Sequence, residues 1–76
     1  MEQIKLIWDF RGQTAAEIAK HHALHLQEFL DAKNYTTYKA EFELITEFIA
    51  IAYIVVPKAE MLFFRDALKP HRGEQV

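Results

Sequence analysis

Two residue types are missing from this sequence altogether, cysteine and serine. Without cysteine there are no disulfides, thiolate nucleophiles or cysteine-based zinc sites. Without serine there is no Ser-His-Asp triad and no G-x-S-x-G nucleophile turn. Neither sign of charge dominates. The formal balance is −2, with Lys and Glu interspersed, which argues against a nucleic-acid-binding surface. No basic amphipathic helix suggests a membrane surface, and the longest apolar run falls well short of the about 20 residues a bilayer span needs. Met1-Glu2-Gln3-Ile4-Lys5 has neither the basic start nor the long apolar core of a signal peptide, so a cytoplasmic location is expected. Any catalysis must draw on His, Asp, Glu, Tyr, Lys or Thr.

What is abundant is apolar surface. Seventy-six residues make one domain, yet 51% are apolar and six are Phe. A chain this short buries only about 60% of the surface its unfolded form exposes. That excess predicts an oligomer. Phe48-Ile49-Ala50-Ile51-Ala52-Tyr53-Ile54-Val55-Val56, closed by Pro57, is an unbroken apolar run rich in β-branched and aromatic side chains. It reads as a strand that is apolar on both faces, in the middle of a sheet.

Around it the elements follow in order. Residues 3–10 alternate, Ile4, Leu6, Trp8 and Phe10 against Lys5, Ile7 and Asp9, as a strand with one buried and one mixed face does. Gly12 supplies a link free to take positive φ. Thr14-Ala15-Ala16-Glu17 fits a capping box, and a helix is expected from about 15 to 33, stopped at Asn34. Its apolar stripe is Ala15, Ile18, Ala19, His22, Leu26, Phe29 and Leu30. Tyr38, Ala40, Phe42 and Leu44 then alternate with Thr37, Lys39, Glu41 and Glu43, the pattern of a half-exposed edge strand. Phe42, Ile45, Ile49, Ala52 and Val56 also recur at helical spacing, but the β-branched content favours strand. The hairpin around Ile45-Thr46-Glu47 lacks Gly, Pro, Asn and Asp. Pro57 suits the first position of a second helix ending at Lys69, with Met61, Phe64 and Leu68 on one stripe and Leu62 and Phe63 opposite. Residues 70–76 read as a mobile or partner-bound tail.

The expected order is βαββα, an α+β two-layer sandwich with antiparallel strands ordered 1-3-2, since a right-handed crossover leaves a gap for the third strand. This resembles a ferredoxin-like arrangement lacking its fourth strand. Small Ala50 and Ala52 assign that side of the central strand to the helices. Ile7, Ile49, Ile51, Tyr53 and Val55 are left on an open face, beside a bare first-strand edge. Both features predict a symmetric homodimer.

Candidate chemistry is sparse. His21 and His25 stack one helical turn apart, with Glu17 before and Glu28 after, a spacing that can chelate a divalent metal through His21, His25 and Glu28; a solvated polar face is the plainer reading. His22 falls on the apolar stripe, as a core histidine bonded to a carbonyl or Tyr hydroxyl, or as a buried acid or base. Pairing His22 with Asp9 for catalysis is disfavoured, because Asp9 points away if Trp8 and Phe10 point inward. The turn Asp9–Thr14 ends at a helix N-terminus able to receive an anion, though a single glycine falls short of a phosphate loop. Arg65, Asp66, Lys69, His71 and Arg72 close the second helix, where cations complement its dipole. Folded over a sister subunit, His71 and Arg72 would complete an anion site with Arg11 and Tyr53. The leading expectation is therefore a homodimeric binding or regulatory module for a small anionic ligand at the subunit seam. The alternatives are a metal-binding protein through His21 and His25, a small acid/base enzyme using His22 or His71 with Asp9, and an interaction protein whose apolar open face is itself the function.

Overall fold

The greasy run becomes β3 (Ile49–Pro57), the long inner strand of a four-stranded antiparallel sheet. The computed structural model describes residues 2–35 and 37–76; Met1, the first residue of the Met1–Lys5 stretch, lies outside them. β1 (Gln3–Arg11) pairs with β3 over its whole length, from Gln3 opposite Pro57 to Arg11 opposite Ile49. α1 (Ala15–Ala32) follows, then β2 (Ala40–Thr46), β3, a 3₁₀ turn at Lys58–Glu60, α2 (Met61–Leu68) and β4 (Arg72–Gln75). Strand order across the sheet is β2-β3-β1-β4. Among the described residues no helix is long and apolar enough to cross a membrane.

The expected three-strand sheet is thus corrected to four strands. Residues 72–75, read as part of a tail, pair with Ile4–Ile7 and cover the edge of β1 that was expected to be bare. Three features hold so short and polar a strand in place. Arg72 makes a two-pronged bond to Asp9, Nε to Oδ2 at 3.0 Å and Nη2 to Oδ1 at 3.1 Å. Gly73 sits close over Ile4 and Leu6, where an added Cβ would stand 3.4–3.5 Å from their side chains. His71 extends the ladder by one rung: its N–H donates to the Ile7 carbonyl at 2.9 Å, and its Nδ1 accepts the Asp9 N–H at 2.8 Å. The imidazole stands where a backbone carbonyl would. No apolar periodicity announces such a strand.

Ala50, Ala52, Ile54 and Val56 face the helices and are fully buried, as the small alanines predicted. Ala15, Ala19 and Ala50 form one close contact, with Phe10 beside it. These small residues draw the first half of α1 down over β3. The larger core gathers Leu6, Trp8, Ala23, Leu26, Leu30, Ala52, Ile54, Val56 and Phe64. Phe64 anchors α2, with its ring against Phe29, Tyr35, Tyr38 and Phe63. The Trp8 indole N–H donates to the Leu68 carbonyl at 3.2 Å.

Local details depart from expectation in instructive ways. Thr14 is the N-cap, but no side chain caps the helix, so the capping box does not form; its φ of −104° and ψ of 16° lie outside the extended region a capping residue usually takes. Gly12 takes φ +115° and Asn34 φ 64°, as their types suggested. The Tyr35 N–H closes that end of α1 on the Leu30 carbonyl at 2.8 Å. β2 lies later in the chain than expected, although its parity is unchanged. Its hairpin turns on Thr46, whose hydroxyl accepts the Phe48 N–H at 3.1 Å. A threonine turn serves where no Gly or Asn is present. Pro57 ends β3 instead of opening α2, which begins after the 3₁₀ turn.

Candidate functional site

The open face of the sheet was expected to be a wet apolar patch needing a partner. Instead Ile7 is 1% exposed and Ile51 4% exposed within a single chain. The alternation of β1 and the register explain why. Around Ile7 stand Lys5 and Asp9 along the strand, with Tyr53 and Arg72 across from it. Around Ile51 stand Asp9 and Glu43. Arg72 lies down to reach Asp9, and Lys5 Nζ sits 4.2 Å from the Tyr53 ring centre. Long charged side chains cover apolar surface with their stems while the heads stay wet. The face is roofed by its own ions.

Two residues of the expected anion site, Arg72 and Tyr53, are bonded within the chain. Arg72 is engaged by Asp9 and, through Nη1, by Glu74 at 2.6 Å. The Arg72 guanidinium holds the Asp9 carboxyl below the usual carboxylate range. Tyr53 donates its hydroxyl to Glu41 at 3.1 Å, and burial together with that bond pushes its pKa up. His71 lies at the sheet edge beside Phe10, and Arg11 is exposed at the end of β1. Arg11, His71 and Arg72 all lie near enough to Asp9 to lower its pKa, while Tyr53 is bonded to Glu41.

The histidines separate as well. His21 and His25 pack edge to face with ring centres 4.6 Å apart, and His25 Nδ1 lies 3.4 Å from Glu28 Oε1. Among the described residues no three His, Asp or Glu side chains gather as a metal site would require. His22 packs between Trp8 and Phe10 on the helix side, at 5.2 and 5.4 Å. Asp9 is on the opposite face of the sheet, so the two do not share a proton. The carbonyl or Tyr hydroxyl expected for His22 is not found at Nε2, which is buried without a hydrogen-bond partner.

Burial, helped by the nearby His25 and His71, holds the His22 pKa below its ordinary 6.5. The folded chain therefore favours the neutral ring. That contribution to stability is complete above pH 6.5 and is lost as pH falls through the lower folded-state value. We expect His22→Leu to gain about 1 kcal/mol at pH 7.5 by removing an unpartnered nitrogen, and to lose less than the native chain on moving to pH 5. Urea unfolding at both pH values checks this; equal losses in the two proteins would contradict it.

One surface does stand out, and it is at the other end of the sheet. β2 is an edge strand whose helix-side row, Ala40, Phe42 and Leu44, was expected to be covered. Only the Ala40 end lies under α1, where the Gln27 side-chain oxygen accepts the Ala40 N–H at 2.9 Å. Beyond it Phe42 is 41% exposed and Leu44 56% exposed. Leu24 of α1, 58% exposed, faces Phe42 across a shallow hollow that Lys20, Ala23, Gln27 and Ala40 complete. The outward side of the same strand carries Glu41 and Glu43, both exposed. The sequence held a signal for this shelf, since Leu24 interrupts the polar side of α1 opposite Ala15. No protein-family model, curated protein or solved structure matches this chain. Its function rests on its own geometry.

Proposed function

We propose that this protein is a small binding module of ferredoxin-like architecture that docks other polypeptides along the β2 side of its sheet. The observation that carries this reading is the shelf of Leu24, Phe42 and Leu44 beside an unpaired strand edge. Large apolar side chains exposed together mark an interaction surface more often than solitary ones do. Ile7 and Ile51, on the face where a subunit seam was expected, are already covered within the chain. The acid/base reading lacks a partner for His22, and the anion reading finds Arg72 already engaged.

The test is a selection of randomised displayed peptides on the native protein, set against a Phe42→Lys, Leu44→Lys double variant. Both positions are exposed, so the variant should keep the native circular dichroism spectrum. Peptides enriched on the native protein and lost on the variant are expected. No enrichment, or equal enrichment on both, would end the reading.

A further inference from the structure

We infer that the outer edge of β2 takes up, as a fifth strand, an extended segment of another protein in which apolar side chains alternate with Lys or Arg. This rests on the docking reading above and adds to it the binding mode and the partner's chemistry.

Backbone direction comes first. The Ile7 carbonyl accepts from His71, so Ile7 turns its polar backbone toward β4. Tyr53, its partner on the other side, then turns toward β2, and Glu41 opposite Tyr53 turns toward β3. Successive residues alternate in an antiparallel ladder. Ala40, Phe42 and Leu44 therefore point their N–H and C=O outward. The Gln27 oxygen on the Ala40 N–H agrees with this, because that donor is not bonded to β3. Phe42 and Leu44 thus offer unpaired ladder groups to an added strand, the usual means of strand addition.

Side chains supply the specificity. An incoming strand places alternate residues on the two faces. On the helix side they meet Phe42, Leu44 and the hollow under Leu24, about 220 Å³ in volume. On the other side they meet Glu41 and Glu43. No cation lies within ion-pair distance of either carboxylate among the described residues. Apolar residues suit the first row and basic residues the second.

A second copy fits worse. Pairing all of β2 with itself about a two-fold sets Glu43 against Glu43. Sliding by one pair sets Glu41 against Glu43 twice, or Glu41 against Glu47. Like charges directly opposite are destabilising.

The experiment uses the full chain and three short, end-blocked, dye-labelled peptides: alternating Val-Lys, alternating Val-Glu, and Val-Lys with N-methyl groups along both edges. Fluorescence anisotropy should show saturable binding of Val-Lys, with Val-Glu weaker by roughly ten-fold, since two charge pairs change sign. With no free edge, the N-methylated peptide should not bind. Glu41→Lys with Glu43→Lys should reverse the charge preference, and Val-Lys should slow hydrogen exchange at the Phe42 and Leu44 amides. Equal binding of Val-Lys and Val-Glu, or no binding of Val-Lys, overturns the inference. Undiminished binding of the N-methylated peptide also overturns it, while leaving the broader docking reading intact. A sedimenting dimer that Phe42→Lys dissociates would name a second copy as occupant and overturn it likewise.

Discussion

Phe64→Ala is expected to cost about 3–5 kcal/mol, as truncating a buried Phe does, and with it the docking of α2. The ring is fully buried. It is also where α2, Tyr35, Tyr38 and the end of α1 meet, with ring centres 5.1 Å from Tyr35, 6.0 Å from Tyr38 and 6.5 Å from Phe29. α2 has eight residues, too few to hold together without tertiary contacts. Leu62 and Phe63 are about half exposed, so Phe64, with Met61 and Leu68 beside it, makes most of the contact with the core. A domain of this length has roughly 4–11 kcal/mol of stability in all, at about 0.05–0.15 kcal/mol per residue. The variant would lose a large part of that. Phe64→Leu, which keeps most of the volume, should cost less than about 1.5 kcal/mol. A second readout is local: the Tyr38 hydroxyl donates to Glu60 at 2.6 Å, just before α2, and that bond pushes its pKa up to about 12. Loosening α2 should return Tyr38 toward its ordinary 10.0 in a spectrophotometric titration. An unchanged urea midpoint in Phe64→Ala would show that α2 is held by something else.

How legible this fold was depends on the kind of signal. α1 and β3 were read within a residue or so, because one carries a helical stripe and the other a solid apolar run. β4 was missed because Arg-Gly-Glu-Gln holds no apolar residue. It is a strand only because Asp9, Ile4 and Leu6 are placed to receive Arg72 and Gly73, and such long-range pairings leave no local trace. The hairpin turn falls where it was expected although no Gly or Asn marks it, because a Thr hydroxyl serves in their place. The facing of β1 was right, and so was the separation of Asp9 from His22 that follows from it. The site was less legible than the fold. Arg11, Tyr53, His71 and Arg72 were grouped by charge and residue type, whereas the folded chain uses Arg72 and Tyr53 to roof its own sheet. Which apolar rows end up covered depends on where α1 crosses. The alanines at 15, 19 and 50 put it over β3, leaving Phe42 and Leu44 beyond its reach.

Ile7 tests the roofed face directly. On the sequence alone Ile7 sits on a face that needs a second subunit; in the folded chain it is 1% exposed beneath Lys5, Tyr53, Asp9 and Arg72. Ile7→Ala should therefore cost about 2–3 kcal/mol, toward the lower end for a buried Ile, because flexible surface side chains can settle into the space. The loss should be the same at micromolar protein as at concentrations a hundred times higher. If a partner copy supplied the cover, stability would rise with concentration by mass action, and the variant would weaken assembly before it weakened the fold. Arg72→Ala gives the complementary result. It leaves Ile7 intact but removes part of its roof and the link from β4 to β1, so amide exchange should quicken at residues 72–75 before it does in β3. Urea midpoints that shift with protein concentration would show that this face is covered by another molecule, and the ions above Ile7 would then belong to an interface.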